Sequence, residues 1–297
     1  MFQNDNFRGA AFMSLSMAGF ALEDVLFKAT ARIMPMGQAV LIVGLCGMVV
    51  FAVMARRKSE PVFHPALRSR GLLIRSGFEV SGRLFYALAI ALTPLSTTSA
   101  ILQASPLVVV GGAALLFHER VGWRRWGAVA VGFVGVLIIL RPGLEGFSAL
   151  SLLAVAGMLG FAGRDLATRA APKVMSNRQL GVAGFAMLAL AGAIILGFTG
   201  GALIPDAQGM ALLAGTATFA VLGYHALTAA MRTGEIGFVT PFRYTRLVFA
   251  MILAVTLFGE RPDLATLVGS ALIVGSGIYT LVRGNRLSRI VRSASRP

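Results

Sequence analysis

The chemistry in this sequence is carried by ionisable side chains that interrupt long apolar stretches. Such a side chain costs about 2.5–3.5 kcal/mol in the middle of a membrane, so it is expected to face another charge or a water-filled cavity. Arg75, Glu79 and Arg83 recur every four residues and therefore share one face of a helix. The full set is Glu23, Asp24, Arg75, Glu79, Arg83, Arg164, Asp165, His225, Arg243 and Arg246.

These residues are suited to ion pairing, substrate binding and proton transfer rather than to covalent catalysis. His225 is the only histidine in an apolar stretch, and no Cys–His or His–Asp cluster accompanies it. The single Cys46 leaves no disulfide framework and no metal cluster. The sequence has no Gly-x-x-x-x-Gly-Lys-Ser/Thr motif for ATP. We therefore predict neither an enzyme nor a bound cofactor or metal.

Ten apolar stretches position these charges. The chain is 57% hydrophobic and 13% charged, whereas soluble domains keep about a quarter of their residues charged. Because a membrane-spanning helix needs about 20 mostly apolar residues, we predict an all-α membrane protein with ten transmembrane helices. Helices 1 to 10 are predicted at about 8–28, 36–54, 71–92, 96–117, 122–140, 147–170, 179–198, 208–231, 237–258 and 264–283.

Basic residues between these stretches predict the orientation. With ten spans, one side of the membrane collects 18 Lys and Arg residues and the other side four. The positive-inside rule then places both termini in the cytoplasm of a bacterial inner-membrane, multi-pass protein. The net charge of +15 lies in these short clusters and not in a basic domain, so nucleic acid is not an expected partner.

An internal repeat relates the two parts of the chain. Gly19–Ala21 recurs 141 residues later as Gly160–Ala162, and the Asp that follows each is kept. The same offset relates Phe117–Arg120, at the end of helix 4, to Phe258–Arg261, at the end of helix 9. We interpret the chain as a duplication.

The repeat divides the chain into residues 1–145 and 146–297, each with five helices. Because five is odd, the halves cross the membrane in opposite directions, which is the architecture of secondary transporters with a midplane substrate site. Asp24 and Asp165 then become symmetry mates, each able to pair four residues on with Lys28 or Arg169. We hypothesise two alternating gates. The residues predicted for gating or coupling are Glu23, Asp24, Glu79, Arg164, Asp165 and Arg243.

These motifs, together with the glycine-rich helices 5 and 10, resemble the drug/metabolite transporter superfamily of ten-helix, EamA-type proteins. Within it, the sequence is most similar to the YddG-like exporters of aromatic amino acids and related metabolites. The resemblance covers nearly the whole chain. It implies a central cavity between two five-helix bundles and the export of small metabolites. Helix 9 departs from the family pattern because Arg243 and Arg246 make it more charged than usual.

A substrate pathway is predicted from polar and aromatic residues near mid-depth. Ser99 and Gln103 share a face of helix 4, just before Pro106. The predicted set is Arg83, Tyr86, Ser99, Gln103, Tyr224, His225, Tyr244 and Arg246. The surplus of arginine suits a carboxylate, and the tyrosines suit an aromatic or apolar body. We therefore expect amino-acid export. The alternative is a proton-coupled multidrug or cation exporter, with Glu23 as the unpaired acid.

Glycines in helices 5 and 10 indicate close helix packing. Gly127 and Gly135 match Gly269 and Gly277 in spacing. Small residues let helix backbones approach within a membrane, so these faces serve either packing inside one chain or a homodimer. The other expected partners are a small-molecule substrate and the lipid bilayer.

Overall fold

The computed structural model describes residues 2–116, 122–141, 148–170, 175–233 and 239–294, and its regular elements there are all helical. The Phe117–Arg120 motif lies outside the described residues, as do Lys173, which is one of the 18 basic residues counted on the cytoplasmic side, and the side chain of Arg169. Ten helices within these ranges correspond in order to the ten predicted ones. They are α1 Phe2–Thr30, α2 Met36–Arg56, α3 Arg70–Leu92, α4a Leu95–Leu102 with α4b Ser105–Leu116, α5 Trp123–Leu140, α6 Ser151–Ala170, α7 Asn177–Thr199, α8 Ala207–Arg232, α9 Thr245–Phe258 and α10 Leu264–Ala294.

Two of these helices are interrupted at matching places in the repeat. The two segments of α4 are separated at Gln103 and Ala104, just before Pro106. A short 3₁₀ turn, Thr240–Tyr244, precedes α9. Proline removes one backbone donor and favours such a break. Irregular backbone at membrane depth is tolerated where it lines a cavity. Both interruptions are therefore expected to lie beside a cavity at the centre of the protein.

The outside of the bundle is suited to lipid. By length and hydropathy, α1, α2, the whole of α4, α7 and α8 are apolar enough to cross a membrane on their own. Helices α3 and α6 carry the charges Arg75, Glu79, Arg83, Arg164 and Asp165, which lower their hydropathy. Large apolar side chains cover the surface, among them Leu15, Val49, Leu73, Leu137 and Val248. Such extensive exposed apolar surface is typical of a membrane protein.

The helix pairs repeat under exchange of the two halves. Helix α1 packs on α8, and its counterpart α6 packs on α3. Helix α1 also contacts α9, as α6 contacts α4. The remaining large contacts, α2 with α7 and α5 with α10, join each helix to its own counterpart. This pattern is that of two inverted five-helix repeats, and it confirms the predicted fold class.

Glycine crossings show the same symmetry at the level of single residues. A Cβ on Gly19 would lie 3.3 Å from the Cα atom of Gly223. A Cβ on Gly160 would run into the backbone of Gly82. The two crossings are related by the 141-residue offset at both positions. Helices α1 and α8, and α3 and α6, therefore pack closely enough to hold the residues between them in fixed places.

Helices α5 and α10 cross closely at one end only. A Cβ on Gly135 or Gly269 would meet the carbonyl oxygen of the other residue. The counterparts of these two residues in the other half of the repeat are Gly277 and Gly127, and they are not in contact. Gly127 has open space around it, and Gly277 lies against the ring of Tyr244. Glycine therefore serves packing within the chain, and the homodimer through helices 5 and 10 stays a prediction.

Candidate functional site

A cavity of about 290 Å³ lies between the two halves of the bundle. Its wall is formed by α1, α2, α3, α4 and the 3₁₀ turn, together with α6, α7, α8 and α9. Ten of the fourteen predicted site residues line it: Glu23, Asp24, Arg83, Tyr86, Gln103, Arg164, Asp165, Tyr224, Arg243 and Arg246. The structure thus brings together residues that are separated by more than 200 positions in the sequence.

Glu79 anchors the first charged cluster in the cavity wall. Its side chain is 2% exposed and pairs with Arg75 at 3.4 Å and with Arg83 at 3.2 Å, both on α3. Arg164 reaches the same carboxylate from α6 at 3.3 Å. The prediction that Arg75, Glu79 and Arg83 share one face of this helix is confirmed. The ion pairs also join the first half of the chain to the second.

Arg164 extends this cluster to Asp165. Its Nη2 and Nε atoms donate to Asp165 Oδ1 at 2.8 and 3.0 Å. Asp165 is therefore paired with its neighbour Arg164 on α6. The predicted partner Arg169 has its side chain outside the described residues.

Asp24 anchors the second charged cluster. It is 3% exposed and accepts hydrogen bonds from Tyr86 Oη at 3.0 Å and Arg246 Nη2 at 2.7 Å. Arg246 also donates to Tyr86 Oη at 3.2 Å. The predicted pairing of Asp24 with Lys28 is wrong, because Arg246 on α9 reaches Asp24 across the cavity. This cluster also links the two halves.

Lys28 instead belongs to a third cluster, at the end of α1. Its Nζ atom lies 3.2 Å from Glu260 Oε1 and donates to the carbonyl oxygen of Thr93 at 2.6 Å. Glu260 also accepts from the backbone N–H groups of Leu95 and Ser96, at 2.8 and 3.1 Å. Burial raises the pKa of Glu260, but these N–H donors and Lys28 outweigh it, so the pKa lies below the ordinary value. The loop after α9 is thereby fastened to α1 and to the start of α4a.

Aromatic rings complete the cavity wall. Phe20 and Phe161 both line it, and they are symmetry mates at the 141-residue offset. The guanidinium of Arg246 lies 5.3 Å from the Phe20 ring centroid, and that of Arg164 lies 5.1 Å from Phe161. Tyr86 meets Phe161 edge to face at 5.8 Å. These contacts leave a cavity with charged groups beside flat apolar surfaces.

The model of the EamA-like transporter family matches this chain twice, over residues 7–141 and 147–282. The chain belongs to the EamA-like transporter family. That family lies in the drug/metabolite transporter superfamily and indicates a multi-pass membrane transporter rather than an enzyme.

Curated relatives of this EamA-like transporter carry different names. A riboflavin transporter of Rhizobium johnstonii is 27% identical over 201 residues, which cover 67% of this chain and 66%, just under two thirds, of that protein. An S-adenosylmethionine uptake transporter of Rickettsia bellii is 28% identical, covering 76% of this chain and 74% of that protein. A riboflavin transporter of Vibrio cholerae is also 28% identical, over 74% of each chain. Assignment to the YddG-like subgroup is not confirmed by these relatives.

A solved crystal structure shares the fold of this EamA-like transporter. The TM-score is 0.64 at 17% sequence identity, and the match covers 92% of this chain and 98% of the other. At that identity the likeness concerns the fold alone.

Four predicted site residues of this EamA-like transporter do not line the cavity. Glu79 lies behind the wall, and Ser99 is 1% exposed within the α4a packing. Tyr244 is buried, with its ring against Gly277 on α10. His225 is exposed on the outside of the bundle, so its predicted inward orientation is wrong. Periodicity does not separate the lipid face from the cavity face of a helix that is apolar all round.

Sequence reasoning also missed the aromatic wall and the Lys28 cluster. Phe20 and Phe161 were visible as matching members of the Gly-Phe-Ala repeat, which was a signal of equivalent function. Lys28 and Glu260 are separated by more than 200 residues, and the sequence offered no sign of their contact. Both networks of the two-gate hypothesis, Asp24 with Arg246 and Asp165 with Arg164, are formed in this structure, so the alternation of the gates stays a prediction.

Proposed function

We propose that this protein is a secondary carrier that exports small metabolites, aromatic or apolar amino acids foremost, by alternating access. The observation that carries the proposal is the cavity of about 290 Å³ between inverted halves, lined by four arginines, three carboxylates and aromatic rings. Cavities that hold small ligands have volumes of roughly 300–1,000 Å³, so this one suits a ligand at the small end of that range. Arginine suits a carboxylate, and the rings suit a flat apolar body.

The names of the relatives agree with this chemical class only in part. S-adenosylmethionine carries an amino-acid group and a flat base, whereas riboflavin carries a flat ring system without an amino-acid group. Both molecules have a flat aromatic part, which the Phe20 and Phe161 rings would accommodate. A carrier without an energy source moves substrate down its gradient, so accumulation in the cytoplasm would make export the net direction.

Symmetry supports alternating access. Lys28 and Glu260 fasten the predicted periplasmic side, and Gly135 and Gly269 bring α5 and α10 together on that same side. The inverted pair, Gly127 and Gly277, is separated. An opposite state would close the Gly127 end and open the Gly135 end, as expected when two inverted repeats exchange conformations.

Transport by purified protein in liposomes tests the proposal. Vesicles would be loaded with radiolabelled phenylalanine, S-adenosylmethionine, riboflavin or a cationic dye, and efflux would be followed with and without a pH gradient. Saturable movement of phenylalanine that is accelerated by unlabelled amino acid on the other side would support an amino-acid carrier. Protein-free vesicles provide the background. Proton-driven movement of the cationic dye alone would overturn the proposal in favour of a cation exporter.

A further inference from the structure

Helices α5 and α10 are packed at one end and separated at the other, although the two ends are equivalent in the repeat. At the packed end, the three atoms nearest to a Cβ on Gly135 would all belong to α10, and the closest is the Gly269 carbonyl oxygen at 2.7 Å. The 142-residue offset carries Gly135 onto Gly277, and it relates Gly127 to Gly269 in the same way. The equivalent crossing at the separated end would therefore bring Gly277 onto Gly127.

The side chain of Tyr244 occupies the place that this second crossing requires. The three atoms nearest to a Cβ on Gly277 would all belong to Tyr244: its Oη, Cζ and Cε2 atoms, with Cε2 at 3.0 Å. Gly277 is buried, whereas Gly127 is exposed and has open space around it. The ring thus lies on α10 where the backbone of α5 would lie if this end closed like the other one.

The Tyr244 hydroxyl is held in this place without a hydrogen bond. The residue is 4% exposed, and its Oη atom is buried with no hydrogen-bond partner in the part of the chain that the structure describes. A buried polar group without a partner raises the free energy of the conformation that contains it, because its hydrogen bonds to water have been lost. The hydroxyl would therefore gain a hydrogen bond if the ring moved to a hydrated position.

The backbone that carries Tyr244 belongs to the cavity wall. Tyr244 ends the 3₁₀ turn Thr240–Tyr244, and its neighbour Arg243 lines the cavity. The counterpart of Tyr244 in the first half is Gln103. Its amide donates to the carbonyl oxygen of Arg243 at 3.1 Å, and none of its atoms is among the three nearest to Gly135. Only the second half of the repeat therefore places a side chain over its glycine crossing.

We propose that Tyr244 is a steric block that keeps the predicted cytoplasmic ends of α5 and α10 apart, and that its ring must leave Gly277 before this end can close on Gly127. The inference rests on the proposed alternating access, and it adds the residue that decides which end of the helix pair is closed. Once the ring has moved, the two glycines can pack as their counterparts do at the other end, since small residues let helix backbones approach.

Two matched pairs of spin labels test this proposal in a Cys46→Ala background. Leu137→Cys with Val268→Cys reports the packed end. Trp126→Cys with Tyr279→Cys reports the separated end. All four positions are exposed, and the 142-residue offset converts one pair into the other. Pulsed EPR distances would be measured on the full-length protein in lipid nanodiscs, and wild-type protein should give the longer distance at the separated end.

Tyr244→Ala and Tyr244→Leu both remove the outer part of the ring, and leucine still fills the inner part of its space. In each variant the two label pairs should exchange their distances, so that the separated end closes and the packed end opens. Tyr244→Phe keeps the ring and loses only the unbonded hydroxyl, so it should keep both wild-type distances. Gly127→Leu added to Tyr244→Ala should restore the wild-type distances, because leucine fills the open space at Gly127.

Other results would overturn the block. Unchanged distances in Tyr244→Ala and Tyr244→Leu protein that still melts cooperatively would refute it, as would an equal change at both ends, which indicates general loosening. These distances need no substrate, so the liposome assay judges the proposed function separately. Saturable phenylalanine movement together with unchanged distances would refute the block alone. Movement of cationic dyes alone, together with exchanged distances, would overturn the proposed substrate and support the block.

Discussion

Replacing Glu79 by glutamine should destabilise the protein by about 3–5 kcal/mol, the usual cost of removing one member of a buried ion pair. The Glu79 side chain is 2% exposed, and its carboxylate compensates Arg75, Arg83 and Arg164 at 3.2–3.4 Å. Glutamine has nearly the same shape, so packing is kept and only the charge is removed. Arg164 retains Asp165, whereas the ion pairs of Arg75 and Arg83 with Glu79 are both lost.

Thermal melting of the purified protein in detergent measures this effect. A loss of about 3–5 kcal/mol corresponds to a fall of roughly 6–20 °C in the melting midpoint. The control is Asp263→Asn, because Asp263 is 51% exposed and pairs with Arg141 at the surface, where a pair contributes about 0–1 kcal/mol. Equal shifts for the two variants would refute the argument that the Glu79 cluster holds α3 and α6 together.

Further predictions concern packing, pH and orientation. Gly160→Leu should abolish the close crossing of α6 on α3 and lower the melting midpoint strongly, since overpacking costs about 1–3 kcal/mol or more. Gly127→Leu, with open space around it, should leave the midpoint unchanged but slow transport if that end must close, which liposome efflux would show. The pKa of Glu260 lies below its ordinary value, so its contribution to stability is present at neutral pH and falls as the pH drops below about 4. Melting curves of wild type and Glu260→Gln would be recorded at neutral pH and at a pH below about 4. The melting midpoint should fall less between these two conditions in the variant than in wild type. In a cysteine-less background, Lys58→Cys should be labelled by an impermeant maleimide only from the cytoplasm and Ala202→Cys only from outside; the reverse result would refute the predicted orientation.

Much of the fold could be predicted because the membrane imposes a length on every helix. The predicted span of about 71–92 corresponds to Arg70–Leu92, and that of about 36–54 to Met36–Arg56. The interruption of α4 lies just before Pro106, where proline removes a backbone donor. The symmetric glycine crossings, such as Gly19 with Gly223, follow the same 141-residue offset that the sequence motifs revealed.

The candidate site was predicted less completely, because the sequence says which charges are deep and not which of them meet. The spacing of Arg75, Glu79 and Arg83 within one helix was sufficient to predict their pairing. Asp24 was equally well placed on its own helix to pair with Lys28, yet it pairs with Arg246. A contact within a helix follows from 3.6 residues per turn, whereas a contact between helices depends on their crossing positions.

The sequence by itself was enough to predict ten membrane-spanning helices in two inverted halves, with most of their deep charges facing inward. Those conclusions follow from the cost of placing polar groups in lipid and from counting helices. The tertiary structure alone decided which charges neutralise one another. It placed His225 outside, put Lys28 on Glu260, and put Arg246 on Asp24. These outcomes depend on the rotation of each helix about its axis, and an apolar sequence in an apolar solvent does not encode that rotation by periodicity.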